Sequence, residues 1–281
     1  MLPLADPPPL LLWDEGPGLP RLPYAPIACP PYREIAQAGG DAAGWRFSRF
    51  MLPVCPGYFG GPRPMRHVCF ALARAGVTWM SLTPMEAESM AAGIDAAAGR
   101  VVVGGMGLAL AAHAIAMKET VEKVTVVELD PAVVEAARAF ARIDAWPCAE
   151  KLEIVTRDLA DHRDPSADFL FVDIWPYYRM DVMVPQMQAF HRAIPAARAF
   201  YWGQELDAVD RHLAQGGVGG GTLEGFDAGA FEAFREETGL PLVGLEQPTY
   251  PELCRRAAVN PAIGAARRPI DGAQATAGAS A

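Results

Sequence analysis

The stretch that decides the fold runs from Val101 to Asp130 and reads VVVGGMGLALAAHAIAMKETVEKVTVVELD. Its three opening β-branched residues are typical of a short buried strand. Gly104, Gly105 and Gly107 follow, and glycine both adopts positive φ at little steric cost and lets a ligand approach the backbone. An apolar helix pattern and a second strand come next, and the stretch ends in an acid. This order predicts a nucleoside-binding βαβ unit.

Strand and helix patterns alternate along the chain from residue 100 onward. Such alternation predicts an α/β fold with a doubly wound, mostly parallel sheet. In a sheet of this kind the ligand binds at the carboxyl ends of the strands. Glycine or acidic residues stand at four predicted strand ends, namely 104–107, Glu128, Asp158 and Asp173. We therefore expect these residues to meet at one edge of the sheet.

The spacing of the glycines discriminates among nucleotide ligands. The dinucleotide fingerprint has a third glycine three residues after the second, and Leu110 stands at that position. A ligand without a pyrophosphate is therefore favoured over a nicotinamide cofactor. Glu128 could accept hydrogen bonds from vicinal ribose hydroxyls. Asp158 could accept one from an adenine amine beside the Leu159 N–H, or it could simply cap a turn.

Asp173 directly follows the apolar run 169–172, so it emerges from a predicted buried strand. A carboxylate in that position is either paired with a cation or functional. Trp175, Tyr177 and Tyr178 come next. Because aromatic faces attract cations, an acid beside these rings suits a sulfonium or an ammonium group. The alternative interpretation is a packed aromatic loop.

Four segments resemble the class I S-adenosylmethionine-dependent methyltransferases, and within them the spermidine-synthase-like branch: VVVGGMG (101–107), VVELD (126–130), TRDL (156–159) and FVDIWPY (171–177). The resemblance implies a seven-stranded Rossmann-like sheet that binds S-adenosylmethionine or its decarboxylated form. It further implies that the glycine turn faces the methionine part of the ligand, with Glu128 near the ribose and Asp158 near the adenine. Asp173 would lie near the sulfonium or an acceptor amine.

The chain departs from the synthases at two places that bear on the reaction. Met106 and Leu108 flank a glycine where the synthases have a glycine–aspartate element, and residues 174–176 (IWP) hold no second acid after Asp173. The segment from Asp173 to Tyr177 is faintly similar to the (Asp/Asn)-Pro-Pro-Tyr element of amino-methylating enzymes. We therefore expect methyl transfer to a nitrogen or oxygen nucleophile of a small molecule. Three alternatives stay open: aminopropyl transfer, an intramolecular reaction of the cofactor side chain that releases methylthioadenosine, and non-catalytic nucleoside binding.

The predicted site has a catalytic, a cofactor-binding and a substrate-binding part. Asp173 is the predicted catalytic residue, which would orient or deprotonate an amine acceptor. The cofactor-binding set is Gly104, Gly105, Gly107, Glu128, Leu129, Asp158, Leu159 and Asp173. The substrate-binding set is Trp175, Tyr177, Gln204 and Glu86. For Glu86, at the start of a predicted helix, interaction with the helix dipole is the alternative role.

The amino-acid composition limits which ligands and partners the protein is expected to bind. A net charge of −9 disfavours nucleic acid, whose phosphates need a basic surface. The 5 cysteines and 5 histidines form no CxxC or HExxH motif, so we predict no metal site. No apolar run reaches the roughly 18 residues of a membrane helix, and the start of the chain lacks the basic region of a signal peptide. We expect a cytoplasmic protein, whose apolar N-terminal arm could pack against a second copy in a homodimer.

Three regions follow from the distribution of proline, glycine and apolar residues. Residues 1–82 are predicted to form a proline-rich arm, an irregular segment and then a β-hairpin at 67–82. Residues 83–265 are predicted to form a Rossmann-like domain, which by the resemblance would bind S-adenosylmethionine, and the glycine run 216–221 is predicted to be a hinge or loop within it. Residues 266–281 are low in apolar content and are predicted to be a disordered tail.

Two helix starts are marked by capping residues. Thr83 precedes Pro84, with Glu86 three residues after the threonine, which is the arrangement of a capping box. Asp130 precedes Pro131 in the same way. Both positions are predicted N-caps, and for Asp130 this role is favoured over contact with a ligand.

Overall fold

The computed structural model describes residues 11–12, 21–30, 41–42, 44–64, 68–215 and 221–265. The predicted disordered tail 266–281, the glycine run except Gly221, and most of the proline-rich arm lie outside the described residues. Within the described part of the chain, no helix combines the length and apolar character that a bilayer crossing requires.

The N-terminal part of the chain forms antiparallel strands: β1 Asp41–Ala42, β2 Trp45–Phe50, β3 Val54–Cys55, β4 Arg63–Pro64, β5 Cys69–Arg74 and β6 Val77–Ser81. Strands β1, β2, β5 and β6 make a sheet in the order β1-β2-β5-β6, and β3 pairs with β4. The predicted hairpin is therefore present as β5 and β6. The prediction of an irregular segment was wrong for β2, because Trp45 and Phe47 alternate inward with an exposed Arg46 despite the nearby glycines and prolines.

Helices and parallel strands alternate after β6: α1 Pro84–Ala96, β7 Gly99–Gly104, α2 Leu110–Ala116, β8 Val121–Glu128, α3 Pro131–Ala141, β9 Leu152–Thr156, β10 Phe169–Val172, α4 Met183–Ala193, β11 Arg198–Tyr201, α5 Gln204–Ala214, α6 Ala228–Thr238, α7 Tyr250–Ala258 and α8 Pro261–Ala265. Three short 3-10 helices lie between α3 and β10, at Ile143–Ala145, Ala149–Lys151 and Leu159–Asp161.

The sheet order confirms the predicted fold class. Five parallel strands are arranged β11-β10-β7-β8-β9. The chain runs from β7 outward to β9 and then returns to β10 and β11 on the other side of β7. This is the doubly wound Rossmann order, and it places a topological switch point at the carboxyl ends of β7 and β10.

The expected number of strands was wrong, since the described residues give this sheet five strands and not seven. Leu242, in a predicted late strand, makes only an isolated parallel bridge to Ala199. Pro241 precedes it and has no N–H for a ladder. Gly244, two residues later, leaves extended geometry with φ at 140°. The backbone on both sides of Leu242 therefore prevents a longer strand.

Local signals and packing hold α1 and α3 in place. The Thr83 hydroxyl accepts from the Glu86 N–H at 3.3 Å, and the Asp130 carboxylate accepts from the Ala132 N–H at 3.0 Å, which confirms both N-caps. Each such cap contributes about 1 kcal/mol. On the inner face of α1, a Cβ at Gly93 would lie 2.4 Å from the ring of Phe200. The missing side chain therefore lets α1 lie close against the sheet.

Buried polar contacts fasten the loop 57–63 to the α/β part of the chain. Glu88 of α1 accepts from the backbone N–H groups of Tyr58 and Phe59 at 2.8 and 3.1 Å. The same carboxylate lies 2.7 Å from the buried Arg63 guanidinium. Asn260 donates to the carbonyl of Tyr58 at 2.9 Å. These bonds hold an N-terminal loop against the start of α1.

Candidate functional site

The glycine turn and Asp173 meet at the switch point. The Asp173 N–H donates to the Gly104 carbonyl at 2.9 Å, and the Gly105 N–H donates to the Val127 carbonyl at 2.9 Å. A Cβ on Gly105 would lie 2.2 Å from the Asp173 carbonyl oxygen, and the φ of Gly105 is 91°. Only glycine combines that conformation with so close an approach of two strand ends.

The other two predicted glycines are also required by packing. A Cβ on Gly104 would lie 2.5 Å from a methyl group of Leu159, and a Cβ on Gly107 would lie 2.4 Å from the sulfur of Met80. The turn is thus enclosed by the segment after β9 on one side and by β6 on the other. Leu159 is buried against this turn, which places it next to the predicted cofactor site.

Glu128 ends β8 and contacts the turn directly. Its Oε2 accepts from the Met106 N–H at 2.8 Å, and its Oε1 accepts from the Asp130 N–H at 2.9 Å. Burial raises the pKa of Glu128, and these backbone bonds oppose the shift. Each carboxylate oxygen can accept a further hydrogen bond, as a pair of ribose hydroxyls would require. Leu129 follows with a side chain 67% exposed, an apolar surface beside that acceptor.

Asp158 is exposed and lies two residues after the end of β9. Its Oδ1 accepts from the Ala160 N–H at 2.8 Å and caps a short 3-10 helix, so the capping role is present. Its Oδ2 makes no hydrogen bond to the described residues. That oxygen is open to a ligand amine, and contact with adenine therefore stays a prediction.

Asp173 and Glu86 form an acid pair. Both are half-buried, and neither makes an ion pair with a described residue. Burial raises the pKa of Asp173 to about 7. Burial and the neighbouring Asp173 charge raise the pKa of Glu86 to about 8. The Ser81 hydroxyl donates to Glu86 at 3.2 Å. Two carboxyl groups without a cation make this position attractive to a positively charged ligand.

An aromatic wall borders the acid pair. The ring of Tyr178 lies 3.9 Å from that of Trp202 and 5.6 Å from that of Tyr58, centroid to centroid. Burial raises the pKa of Tyr178, and the charge of Glu86 adds to the shift. Trp202 Nε1 donates to the Ser89 hydroxyl at 2.8 Å. Tyr178 belongs to the aromatic cluster expected after Asp173, whereas Tyr58 and Trp202 come from distant segments and were in none of the predicted sets.

Two of the predicted substrate residues make structural hydrogen bonds, and their contact with a substrate stays a prediction. Gln204 is fully buried, and its amide donates to the Val243 carbonyl at 2.6 Å and to the Tyr250 hydroxyl at 2.9 Å. It therefore joins α5 to α7 and faces no open pocket. Trp175 is also buried, with Nε1 donating to the Gln186 side chain at 2.7 Å. The sequence could place both residues near a strand end but could not show which way their side chains turn.

Of the remaining predicted substrate residues, Tyr177 is half-buried and stays a prediction, and Glu86 lies in the acid pair. A further acid is Glu205, which is buried and accepts the Tyr58 hydroxyl hydrogen bond. Burial raises its pKa to about 7, and the bond from Tyr58 opposes the shift.

Two cavities, of about 250 and 240 Å³, lie away from the switch point. The larger is lined by Tyr24, Lys118, Arg198 and Glu246 near the amino ends of the strands, and the smaller lies between α5 and α6. Neither is lined by a predicted site residue. The candidate site is therefore defined by the side chains that converge at the carboxyl ends of β7, β8 and β10.

No protein-family model matches the chain, and no curated protein matches it. Several solved structures are similar at low sequence identity. A spermidine synthase in complex with the transition state analogue AdoDATO is 18% identical, with a TM-score of 0.38 over 59% of this chain and 54% of that one. Spermidine synthase from Thermotoga maritima is 19% identical, with a TM-score of 0.37 over 56% and 53%.

The N-methyltransferase NodS from Bradyrhizobium japonicum WM9, in complex with S-adenosyl-l-homocysteine, is 12% identical, with a TM-score of 0.29 over 38% of this chain and 53% of that one. The matched region spans about half the length of each of these three proteins.

Proposed function

We propose that this protein is an S-adenosylmethionine-dependent transferase that methylates a nitrogen or oxygen nucleophile of a small molecule, with an amine as the favoured acceptor. The acid pair of Asp173 and Glu86 beside the glycine turn carries this proposal. A sulfonium and a protonated amine are both cations, and the pair offers them carboxylates that have no cationic partner among the described residues.

The residues around the turn fit the proposed cofactor. Glu128 offers acceptors for ribose hydroxyls, and the exposed Leu129 offers an apolar surface to a ring. Asp158 offers a carboxylate oxygen to an exocyclic amine. When bound, S-adenosylmethionine supplies an electrophilic methyl group on a positively charged sulfur.

Asp173 is the proposed base. Its pKa of about 7 lies near neutral pH, where a general base is most effective. An ammonium must lose a proton before its lone pair can attack, and Asp173 would accept that proton. Glu86, with the higher pKa, would stay largely protonated and could donate a hydrogen bond. The faces of Tyr178 and Trp202 would attract the acceptor while it is charged.

A second candidate function follows from the position of Glu86. The segment after Asp173 lacks the second acid that the synthases have, but Glu86 supplies a carboxylate near Asp173 from a different element. Two acids suit an acceptor with more than one amine. This arrangement favours aminopropyl transfer as the alternative reaction.

One assay separates the two reactions. The protein is incubated with S-adenosylmethionine or its decarboxylated form, together with a set of mono-, di- and polyamines. The nucleoside by-product is then identified by mass spectrometry. S-adenosylhomocysteine supports methyl transfer, whereas methylthioadenosine supports attack on the other carbon. Calorimetric titration gives the control: heat with NAD and none with S-adenosylmethionine would overturn both proposals.

The partner and domain predictions also stay proposals. We propose a small-molecule substrate and no nucleic-acid partner, in a cytoplasmic protein whose regions divide near residues 82 and 265. Light scattering after size-exclusion chromatography tests the proposed homodimer, and a monomer at micromolar concentration would contradict it.

A further inference from the structure

Strand β6 of the N-terminal sheet contacts both halves of the candidate site. Ser81, its last residue, donates to Glu86 of the acid pair at 3.2 Å. Met80, the residue before it, contacts the glycine turn with its sulfur. Successive residues of a strand point to opposite faces, so one short strand reaches two different groups.

Positive φ angles recur through the glycine turn and up to Ala109, the residue before α2. Gly105, Gly107 and Ala109 have φ angles of 91°, 48° and 58°. A positive φ is costly for a residue with a side chain such as Ala109. A turn of this kind keeps its shape only when neighbouring contacts define it.

Met80 supplies such a contact. Its Sδ accepts from the Leu108 N–H at 2.9 Å, directly after the last glycine of the turn. The same sulfur occupies the space where a Cβ on Gly107 would lie, at a distance of 2.4 Å. Met80 is 6% exposed, so water does not replace it readily as an acceptor. A thioether is a weak acceptor but a polarizable one that fills irregular space well.

We infer that Met80 is a positioning residue that pre-organises the glycine turn for the cofactor. Through Met80, the N-terminal sheet influences cofactor binding without contacting the reacting groups. The inference rests on the proposed function insofar as the turn binds S-adenosylmethionine. A turn that is already ordered binds more tightly, because the ligand does not have to order it.

The test compares three variants. Met80→Leu keeps the apolar volume and removes the acceptor, whereas Met80→Gln restores an acceptor oxygen at similar reach. Met90→Leu makes the same chemical change at a buried position of α1 and is the control. Calorimetry measures the Kd for S-adenosylmethionine, and amide hydrogen exchange at Leu108, followed by NMR, measures the order of the turn without ligand.

We expect Met80→Leu to weaken binding by about threefold to tenfold, the effect of one lost hydrogen bond. Exchange at Leu108 should accelerate in the same variant. Met80→Gln should recover most of both quantities, and Met90→Leu should leave both near wild type. A general loss of stability would not give this pattern, because it would affect Met90→Leu as well.

Unchanged exchange at Leu108 in Met80→Leu would overturn the inference, whether or not the protein binds the cofactor. Equal loss of affinity in Met80→Leu and Met80→Gln would overturn it too, since restoring an acceptor would then have no effect. A wild-type protein that does not bind S-adenosylmethionine would instead refute the proposed function, and Leu108 exchange would still decide the role of Met80.

Discussion

Glu86 and Glu88 lie two residues apart in α1, and their surroundings differ sharply. Glu88 is fully buried, lies 2.7 Å from the Arg63 guanidinium and accepts two backbone N–H groups. Glu86 is half-buried, faces another acid and has a serine hydroxyl as a neutral donor. The helix directs the Glu88 side chain toward the loop 57–63 and the Glu86 side chain toward the carboxyl edge of the sheet.

The difference shows how to distinguish a structural acid from a functional one. A buried carboxylate with a cation and several donors fixes a geometry, and its loss leaves the opposite charge buried. A carboxylate that faces a like charge is costly in the absence of a ligand, and such costs are concentrated at functional sites. The predictions below test this contrast between Glu86 and Glu88.

The largest expected effect is on stability, for Glu88→Gln. This change removes the carboxylate that faces a buried guanidinium, which costs about 3–5 kcal/mol. For a chain of this size we expect Tm to fall by roughly 10 °C, measured by scanning calorimetry. Asp144→Asn, in the exposed ion pair with Arg138, is the control and should change stability by less than about 1 kcal/mol. Equal effects of the two changes would show that Glu88 is not a structural anchor.

The second prediction concerns activity. Asp173→Asn should lower kcat by about 100-fold or more, because the amide cannot accept the proton of an amine. The assay is by-product formation, followed by mass spectrometry at saturating cofactor. Asp181→Asn, an exposed acid soon after the same strand, is the matched control.

Asp173→Asn should also leave the fold at least as stable at pH 8 as the wild type. Its raised pKa means that the folded protein disfavours the ionised form at this position. Loss of activity together with a large fall in Tm would contradict the functional assignment and would group Asp173 with Glu88.

The third prediction concerns cofactor affinity. Glu128→Gln keeps one acceptor oxygen and loses the charge that strengthens bonds to hydroxyl groups. We expect Kd for S-adenosylmethionine to rise roughly tenfold, or about 1.4 kcal/mol. Glu122→Gln changes an exposed residue near the other end of β8 and should have no effect. Equal affinities of the two variants would place the ribose elsewhere.

The last prediction concerns the pH dependence of stability. In the unfolded chain Glu86 titrates near 4.3, and in the folded protein its pKa is about 8. The folded state therefore binds more protons between these values, so this stabilising contribution is present at low pH and is lost as pH rises toward 8. Glu86→Gln removes the titrating group, so the fall in Tm from pH 5 to pH 8 should be smaller than in wild type.

Glu150→Gln, at an exposed position, is the control and should follow the wild-type curve. Wild-type and Glu86→Gln curves that run parallel from pH 5 to pH 8 would indicate that Glu86 is not protonated in the folded protein. In that case the acid pair would carry two negative charges.

Local sequence signals predicted the βαβ unit, both helix caps and the order of strands after residue 100. These features depend on neighbours in the chain: glycine for a turn, threonine or aspartate for a cap, and β-branched residues for a buried strand. The sequence also predicted that Asp173 and Glu128 lie at the same edge of the sheet, because the carboxyl ends of parallel strands share that edge. It did not predict the side-chain directions of Gln204 and Trp175, which depend on their hydrogen-bond partners Tyr250 and Gln186.

By itself, the sequence determined a doubly wound α/β chain with a glycine turn that suits a nucleoside and acids at its strand ends. Tertiary structure alone decided which acids meet. It set Glu86 beside Asp173 and Glu88 against Arg63, and it brought Met80 to the turn. The physical reason is that burial and the partner of a charge, not its position in the chain, determine whether a carboxyl group anchors the fold or stays available to a ligand.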